Sequence, residues 1–146
     1  MGTNANVAEF MRTSARRAPE AIALVEGSQS WTWSELDSLV DDMAAGLVHA
    51  GVRVGDRVAI QQGNSRWFVV SYFAVLRAGA VAVPLNPALT SAETALLLAH
   101  SGARVILSDD AAGDTSRGAA EAVGTCGVLV ADSGDWRAML TQGRRT

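Results

Sequence analysis

The 146 residues predict an α/β fold, a mostly parallel sheet with helices on both faces, preceded by a small β-hairpin. Three observations carry this. Four short apolar runs, near residues 57, 81, 104 and 128, alternate with helical stretches, which is the pattern of parallel strands joined by right-handed crossovers. Ahead of them, two strand-like runs flank Gly27-Ser28, and Gly can adopt the positive φ that a hairpin turn needs. Finally, the stretch from Asn64 to Pro87, NSRWFVVSYFAVLRAGAVAVPLNP, is the most continuously apolar part of the chain and supplies a centre around which the rest can pack.

Taken in order, Asn6 and Glu9 have the spacing of a capping box, and a first helix follows from Val7 to about Arg17. Its apolar positions Val7, Phe10, Met11 and Ala15 fall on one face, and Pro19 forces Ala18 out of helical geometry. Ile22 to Val25 and Ser30 to Thr32 are the hairpin strands. Thr32-Trp33-Ser34-Glu35 is a second capping box. In the helix it opens, Leu36, Leu39, Val40, Met43, Ala44, Leu47 and Val48 recur at steps of three and four, while Glu35, Asp37, Asp41 and Asp42 face away. Gly51 closes that helix, Gly55-Asp56 turns the chain, and Arg57 to Gln61 is the next strand.

From Trp67 to Leu76 the only clearly polar side chain is Ser71, so the helix there is expected to be buried on nearly every face. Asn64 or Ser65 caps its start, Arg77 suits the negative end of its dipole, and Gly79 allows the left-handed turn that stops it. Val81 to Leu85 reads as a short, wholly buried strand. Pro84, which has no N–H for a ladder, is placed at its end or edge. A membrane span of about 20 apolar residues is the alternative. Arg77, Gly79 and Pro84 break the run where a spanning helix would be continuous. Thr90 and Glu93 form a third capping box before a helix to about Ser101, stopped by Gly102, and Arg104 to Ser108 is a strand. Asp109 to Gly124 is rich in Ala, Gly and Asp, which predicts a mobile loop and then a helix near Gly118 to Val123. Val128 to Ala131 is the last strand, Asp132 or Ser133 caps a short helix carrying Trp136, Met139 and Leu140, and the chain frays from Gly143.

The length suits one α/β domain over residues 1–146, large enough to bury a core. A net charge of −3 and scattered basic residues exclude a nucleic-acid surface, which needs clustered positive charge. One cysteine, Cys126, cannot form an intramolecular disulfide, and it reads as a small buried residue. The N-terminus lacks a secretory pattern, so the expected setting is cytoplasmic. All twelve basic residues are arginines, and the chain contains no lysine.

The catalytic signatures are mostly missing. No Gly-rich loop ends in Lys-Ser or Lys-Thr, and no G-x-G-x-x-G opens a helix after a strand. GVRVGD at Gly51 to Asp56 is a turn. His49 and His100 each sit near a helix end without a second ligand at metal spacing. Asp109-Asp110 lies at a strand's end, where α/β sheets bind ligands, but Asp also favours turns for its own backbone bonding. Trp31 and Trp33 flank Thr32, with Trp33 read as a hydrophobic anchor beside the helix start.

Several ordered segments together resemble the adenylate-forming (AMP-binding) enzymes, especially the acyl-CoA synthetases. They are RRAPEAIALVEG at Arg16 to Gly27, TWSEL at Thr32 to Leu36 where the family has Thr-Tyr-x-Glu-Leu, and GVRVGDRVAI at Gly51 to Ile60. The segment that starts at Asn64, LRAGAVAVPLNPALTSAE at Leu76 to Glu93, and SGARVILSD at Ser101 to Asp109 complete the set. The resemblance implies a ligase that joins a carboxylic acid, expected to be a fatty acid, to AMP using ATP and magnesium, then passes the acyl group to coenzyme A. It also implies that the family's Ser/Thr/Gly-rich ATP loop, its ribose-holding acid and its C-terminal lysine lie outside the matched region. No catalytic, cofactor-binding or metal-binding residue is therefore assigned in this chain. The chain by itself is expected to be inactive and to bind no cofactor specifically, and its expected partners are the remainder of a synthetase chain and a second copy of itself. A free-standing structural or dimerisation module built on the same fold is the alternative.

Overall fold

The computed structural model describes residues 6–146. Helix α1 (Ala8–Arg17) leads into a hairpin of β1 (Ile22–Glu26) and β2 (Gln29–Thr32), and then into α2 (Trp33–His49). Four strand–helix units follow: β3 (Arg57–Gln61) and α3 (Arg66–Arg77), β4 (Val81–Pro84) and α4 (Ser91–Ser101), β5 (Val105–Ser108) and α5 (Gly113–Val123), β6 (Gly127–Val130) and α6 (Gly134–Arg145). The four later strands form one parallel sheet in the order β4-β3-β5-β6, with Val58 opposite Ala82 on one side and Val105 on the other. The hairpin is antiparallel, and Gly27 takes a φ of 59° in its turn.

Alternation along β3 assigns the two faces. Val58 and Ile60 point into a large cluster with Leu36, Val40, Met43 and Leu47 of α2, Val70, Ala74 and Val75 of α3, and Trp136 and Met139 of α6. Ala59 points the other way, to Leu98 of α4 and Ala119 and Ala120 of α5. Helices thus cover both faces of the parallel sheet, as the alternating pattern predicts.

Local signals explain most boundaries. The Thr32–Glu35 and Thr90–Glu93 capping boxes are both formed, each side chain bonding the other residue's backbone N–H. Ser65 and Ser133 cap α3 and α6 by accepting from Phe68 N and Trp136 N. Gly79 and Gly102 stop their helices at φ of 78° and 65°. Pro84 ends β4, which lies at the sheet edge where a missing N–H costs nothing.

Elsewhere tertiary contacts override the local reading. The Asn6–Glu9 box does not form. The Asn6 side chain accepts from Ala8 N at 2.9 Å and donates to the Leu76 carbonyl at 2.7 Å, tying the start of α1 to the end of α3. Ala8, Met11 and Ala15 form the buried stripe of α1, whereas Val7 and Phe10 are exposed. On α2, Asp37 does not face solvent alone, since its carboxylate accepts from the buried Arg77 guanidinium at 2.7 Å. Asp42 accepts from Arg144 at 3.0 Å. Val48, on the predicted apolar face, is exposed.

Strand β4 is not wholly buried: as the edge strand it leaves Val81 and Pro84 exposed. Helix α3 buries Val70, Ser71, Ala74 and Val75 and leaves the opposite side half-exposed. Helix α5 starts well before Gly118, because the Asp109 carboxylate catches Ala112 N at 2.9 Å and organises the segment predicted as mobile. The end of the chain is not frayed. A Cβ on Gly143 would run into the Asp42 carbonyl of α2, and one on Gly46 would lie 2.6 Å from Met139 Cγ, so these two glycines let α2 and α6 meet backbone to backbone. Among the described residues no helix is long and apolar enough to cross a membrane.

Candidate functional site

In open parallel sheets ligands bind beyond the carboxyl ends of the strands. Here β3, β5 and β6 end at Gln61, Ser108 and Val130, and the loops after them enclose an open cleft of about 660 Å3 whose polar lining includes Ser65, Asp109, Asp110, Arg117 and Asp132, with Trp67 on one wall. The loops reach this position because each strand passes directly into a capped or carboxylate-anchored helix.

The structure divides the Asp109-Asp110 pair. One Asp109 oxygen accepts from Gly63 N at 2.8 Å and the other from Ala112 N at 2.9 Å, so this half-buried carboxylate joins the loop after β3 to the start of α5. Asp110 is exposed on the cleft wall. Across the cleft, Asp132 has a φ of 63°, the left-handed region that asparagine and aspartate tolerate best, and accepts from Trp67 Nε1 at 3.0 Å. Arg117, at the rim, pairs with exposed Asp114 at 3.6 Å.

Under this end of the sheet lies a polar network. The buried Gln61 amide accepts from Ser116 Oγ at 2.7 Å and donates to Thr94 Oγ1 at 2.9 Å, and Ser116 Oγ also lies 3.0 Å from Ser108 Oγ. Gln61, Thr94, Ser108 and Ser116 are each fully buried. The network holds α4 and α5 against the strand ends with its hydrogen-bonding groups paired internally, so it positions the cleft rather than presenting a reactive group. Sequence reasoning missed it. The signal was Gln61-Gln62 closing an apolar strand, where polar residues must find buried partners.

The other candidate residues are dispersed. His49 and His100 are exposed at the ends of α2 and α4, on opposite faces of the sheet. Trp33 packs against the large cluster as an anchor. Trp31 is a stacking wall: the Arg66 guanidinium lies 4.9 Å from its ring centroid and 4.8 Å from that of Trp67. GVRVGD is a turn in which the Asp56 carboxylate accepts from Arg53 N at 2.8 Å. Cys126 is only half-buried, a correction to the buried residue expected, and burial still pushes its thiol up to about 11. The thiolate needed for nucleophilic attack is therefore scarce at neutral pH.

The cleft supplies carboxylates and one guanidinium. Among the described residues no Ser, Thr or Cys is hydrogen-bonded to a histidine, and no group of three or more His, Cys, Asp or Glu side chains is placed to hold a metal. The chain contains no lysine. The arrangement is a scaffold with a polar cleft.

Comparison with known proteins assigns the scaffold. The family model described as AMP-binding enzyme matches residues 11–144. The chain is 35% identical over 103 residues to the vibriobactin-specific 2,3-dihydroxybenzoate-AMP ligase of Vibrio cholerae, covering 70% of this chain and 19% of that protein. It is 44% identical over 93 residues to a feruloyl-CoA synthase of an Amycolatopsis species, covering 64% of this chain and 19% of that one. A Mycobacterium tuberculosis fatty acyl CoA synthetase superposes with a TM-score of 0.84 at 29% identity, covering 93% of this chain and 28% of that chain. The chain thus spans about a fifth of the length of these curated relatives. With the family model matched over nearly its whole length, the chain belongs to the AMP-binding, adenylate-forming enzymes and represents the N-terminal part of their fold.

Proposed function

We propose that residues 1–146 are one α/β domain serving as the N-terminal scaffold of a cytoplasmic ATP-dependent acid–CoA ligase. In this reading the whole enzyme activates a carboxylic acid to an acyl-adenylate with ATP and magnesium and transfers the acyl group to coenzyme A. The chain alone is inactive and holds none of these ligands specifically. The observation that carries the reading is the family match over 11–144 in a chain that spans about a fifth of the 2,3-dihydroxybenzoate-AMP ligase and of the feruloyl-CoA synthase. The absence of lysine agrees with it, because a cationic amine is what stabilises carboxylate and phosphate as charge moves between them.

A fatty acid is the substrate class the structural neighbour supports, through a protein named as a fatty acyl CoA synthetase. The feruloyl-CoA synthase and the 2,3-dihydroxybenzoate-AMP ligase support an aromatic acid instead. The carboxylic acid and its activation are common to both.

A free-standing module is the second reading, favoured by a sheet that is already covered on both faces and by α6 docking on α2 through Gly46 and Gly143. Under either reading the isolated chain pairs with a second copy. The nucleotide sequence after codon 146 decides between them. A frame continuing into a Ser/Thr/Gly-rich loop and a later lysine is the expected result, and a stop codon at that point would overturn the ligase reading.

A further inference from the structure

We infer that Arg66 is a latch through which the β1–β2 hairpin sets the wall of the cleft at the strand ends. The inference rests on that cleft being the functional site, and it adds a control on it.

Trp67 serves two cavities. It walls the cleft, where its indole Nε1 donates to Asp132 at 3.0 Å. It also walls a second open pocket, of about 480 Å3, which the hairpin residues Gln29, Ser30 and Trp31 line from the other side. Between the two rings lies the Arg66 guanidinium, 4.9 Å from the Trp31 centroid and 4.8 Å from that of Trp67. Its Nη1 donates to Gln29 Oε1 at 3.2 Å, and the Arg66 backbone N–H donates to the Glu26 carboxylate at 2.8 Å. The hairpin thus grips Arg66 through three residues, and Arg66 covers the ring whose N–H reaches the cleft. Adjacent residues of a helix do not face each other, so Arg66 is held back over Trp67 by the second ring behind it.

The two ends of α3 show why this is a latch and not a fixed joint. Arg77, at the far end, is buried and bound to Asp37 at 2.7 Å and Asp41 at 2.9 Å. Arg66 is half-exposed and, among the described residues, its guanidinium has no carboxylate partner. Two ring faces and one amide oxygen meet its charge. Ring faces attract a guanidinium without imposing the directed geometry of an ion pair, so this contact releases more readily than that of Arg77. Trp67 otherwise rests edge-on against the fully buried Trp136 at 5.3 Å, a contact that the core fixes. Arg66 is therefore the neighbour of Trp67 that can change, and its release frees the indole N–H from Asp132.

Hydrogen exchange followed by NMR on the folded chain tests this, with circular dichroism to check folding and the buried Trp136 indole as internal reference. Trp31→Ala and Arg66→Ala are expected to speed exchange of the Trp67 indole N–H about tenfold, the scale of one lost hydrogen bond, while the Trp136 signal stays protected. Ser28→Ala, in the exposed hairpin turn, is expected to leave Trp67 unchanged. Coupling is reciprocal, so Asp132→Ala is expected to speed exchange of the Trp31 backbone amide. Gln29→Ala, at an exposed polar position, decides the matter should Trp31→Ala fail to fold. An unchanged Trp67 signal in the folded hairpin variants overturns the latch, and so does an Asp132→Ala effect confined to the cleft. Either failure leaves the ligase reading standing, since the sequence after codon 146 decides that.

Discussion

The two faces of the parallel sheet are built by different means. One face is a cluster of large side chains, in which Leu36, Met43, Leu47, Ile60 and Trp136 are fully buried between the sheet and α2, α3 and α6. The other is a thin layer, dominated by Ala59, Ala103, Ala119 and Ala120 with Ile106 and Leu98, and the Gln61–Thr94–Ser116–Ser108 network crosses its upper end. Small side chains bring α4 and α5 close to the sheet but bury little area, so their placement depends on hydrogen bonds that tolerate only one geometry. The cleft opens at that polar end. Stability is therefore concentrated on the first face and positional precision on the second.

Two substitutions can break this comparison, and the larger effect belongs to the first face. Trp136→Ala empties the centre of the large cluster and is expected to cost about 3–5 kcal/mol, the range for deleting a buried aromatic. Urea unfolding followed by circular dichroism reads this as a lower midpoint. A loss near zero would show that α6 is dispensable to the core.

Gln61→Leu probes the second face. It adds apolar surface yet takes this partner from the Thr94 hydroxyl and leaves Ser116 with Ser108 alone, so the expected loss is about 1–3 kcal/mol. Replacing all three as Gln61→Leu, Ser116→Ala and Thr94→Val should recover part of that loss, because the hydroxyls that lose the Gln61 amide are removed with it. Equal stability of the single and triple variants would mean that the network holds nothing in place.

The same contrast explains what the sequence makes legible. The first face announces itself through periodicity: Leu36, Val40, Met43 and Leu47 recur on one stripe and all are buried. Capping signals that involve only their own helix, Thr32 with Glu35 and Thr90 with Glu93, are also realised as read. Signals completed by a distant residue are not. Asn6 has the spacing of a box but finds Leu76, seventy positions away. Asp109 looks like a turn residue, and its bonds to Gly63 and Ala112 start α5 early. Gly143 looks like a terminus and proves to be a docking point, because the Asp42 carbonyl that requires a glycine there lies about a hundred residues back. The cleft was legible only as a location at the strand ends. Beyond Asp109 and Asp110 its residues could not be foreseen, since Asp132 and Arg117 meet that pair only through the order in which β3, β5 and β6 pair.

In the reading proposed above, this chain carries the scaffold of an adenylate-forming ligase without its chemistry. Acid-dependent exchange of pyrophosphate into ATP, measured on the folded 146-residue chain with a panel of fatty and aromatic acids and magnesium, tests it most directly. The expected result is exchange no faster than in the acid-free control. Exchange that any acid stimulates and that follows the chain through purification would contradict it, and would require that arginine alone can meet the charge of the transferring groups.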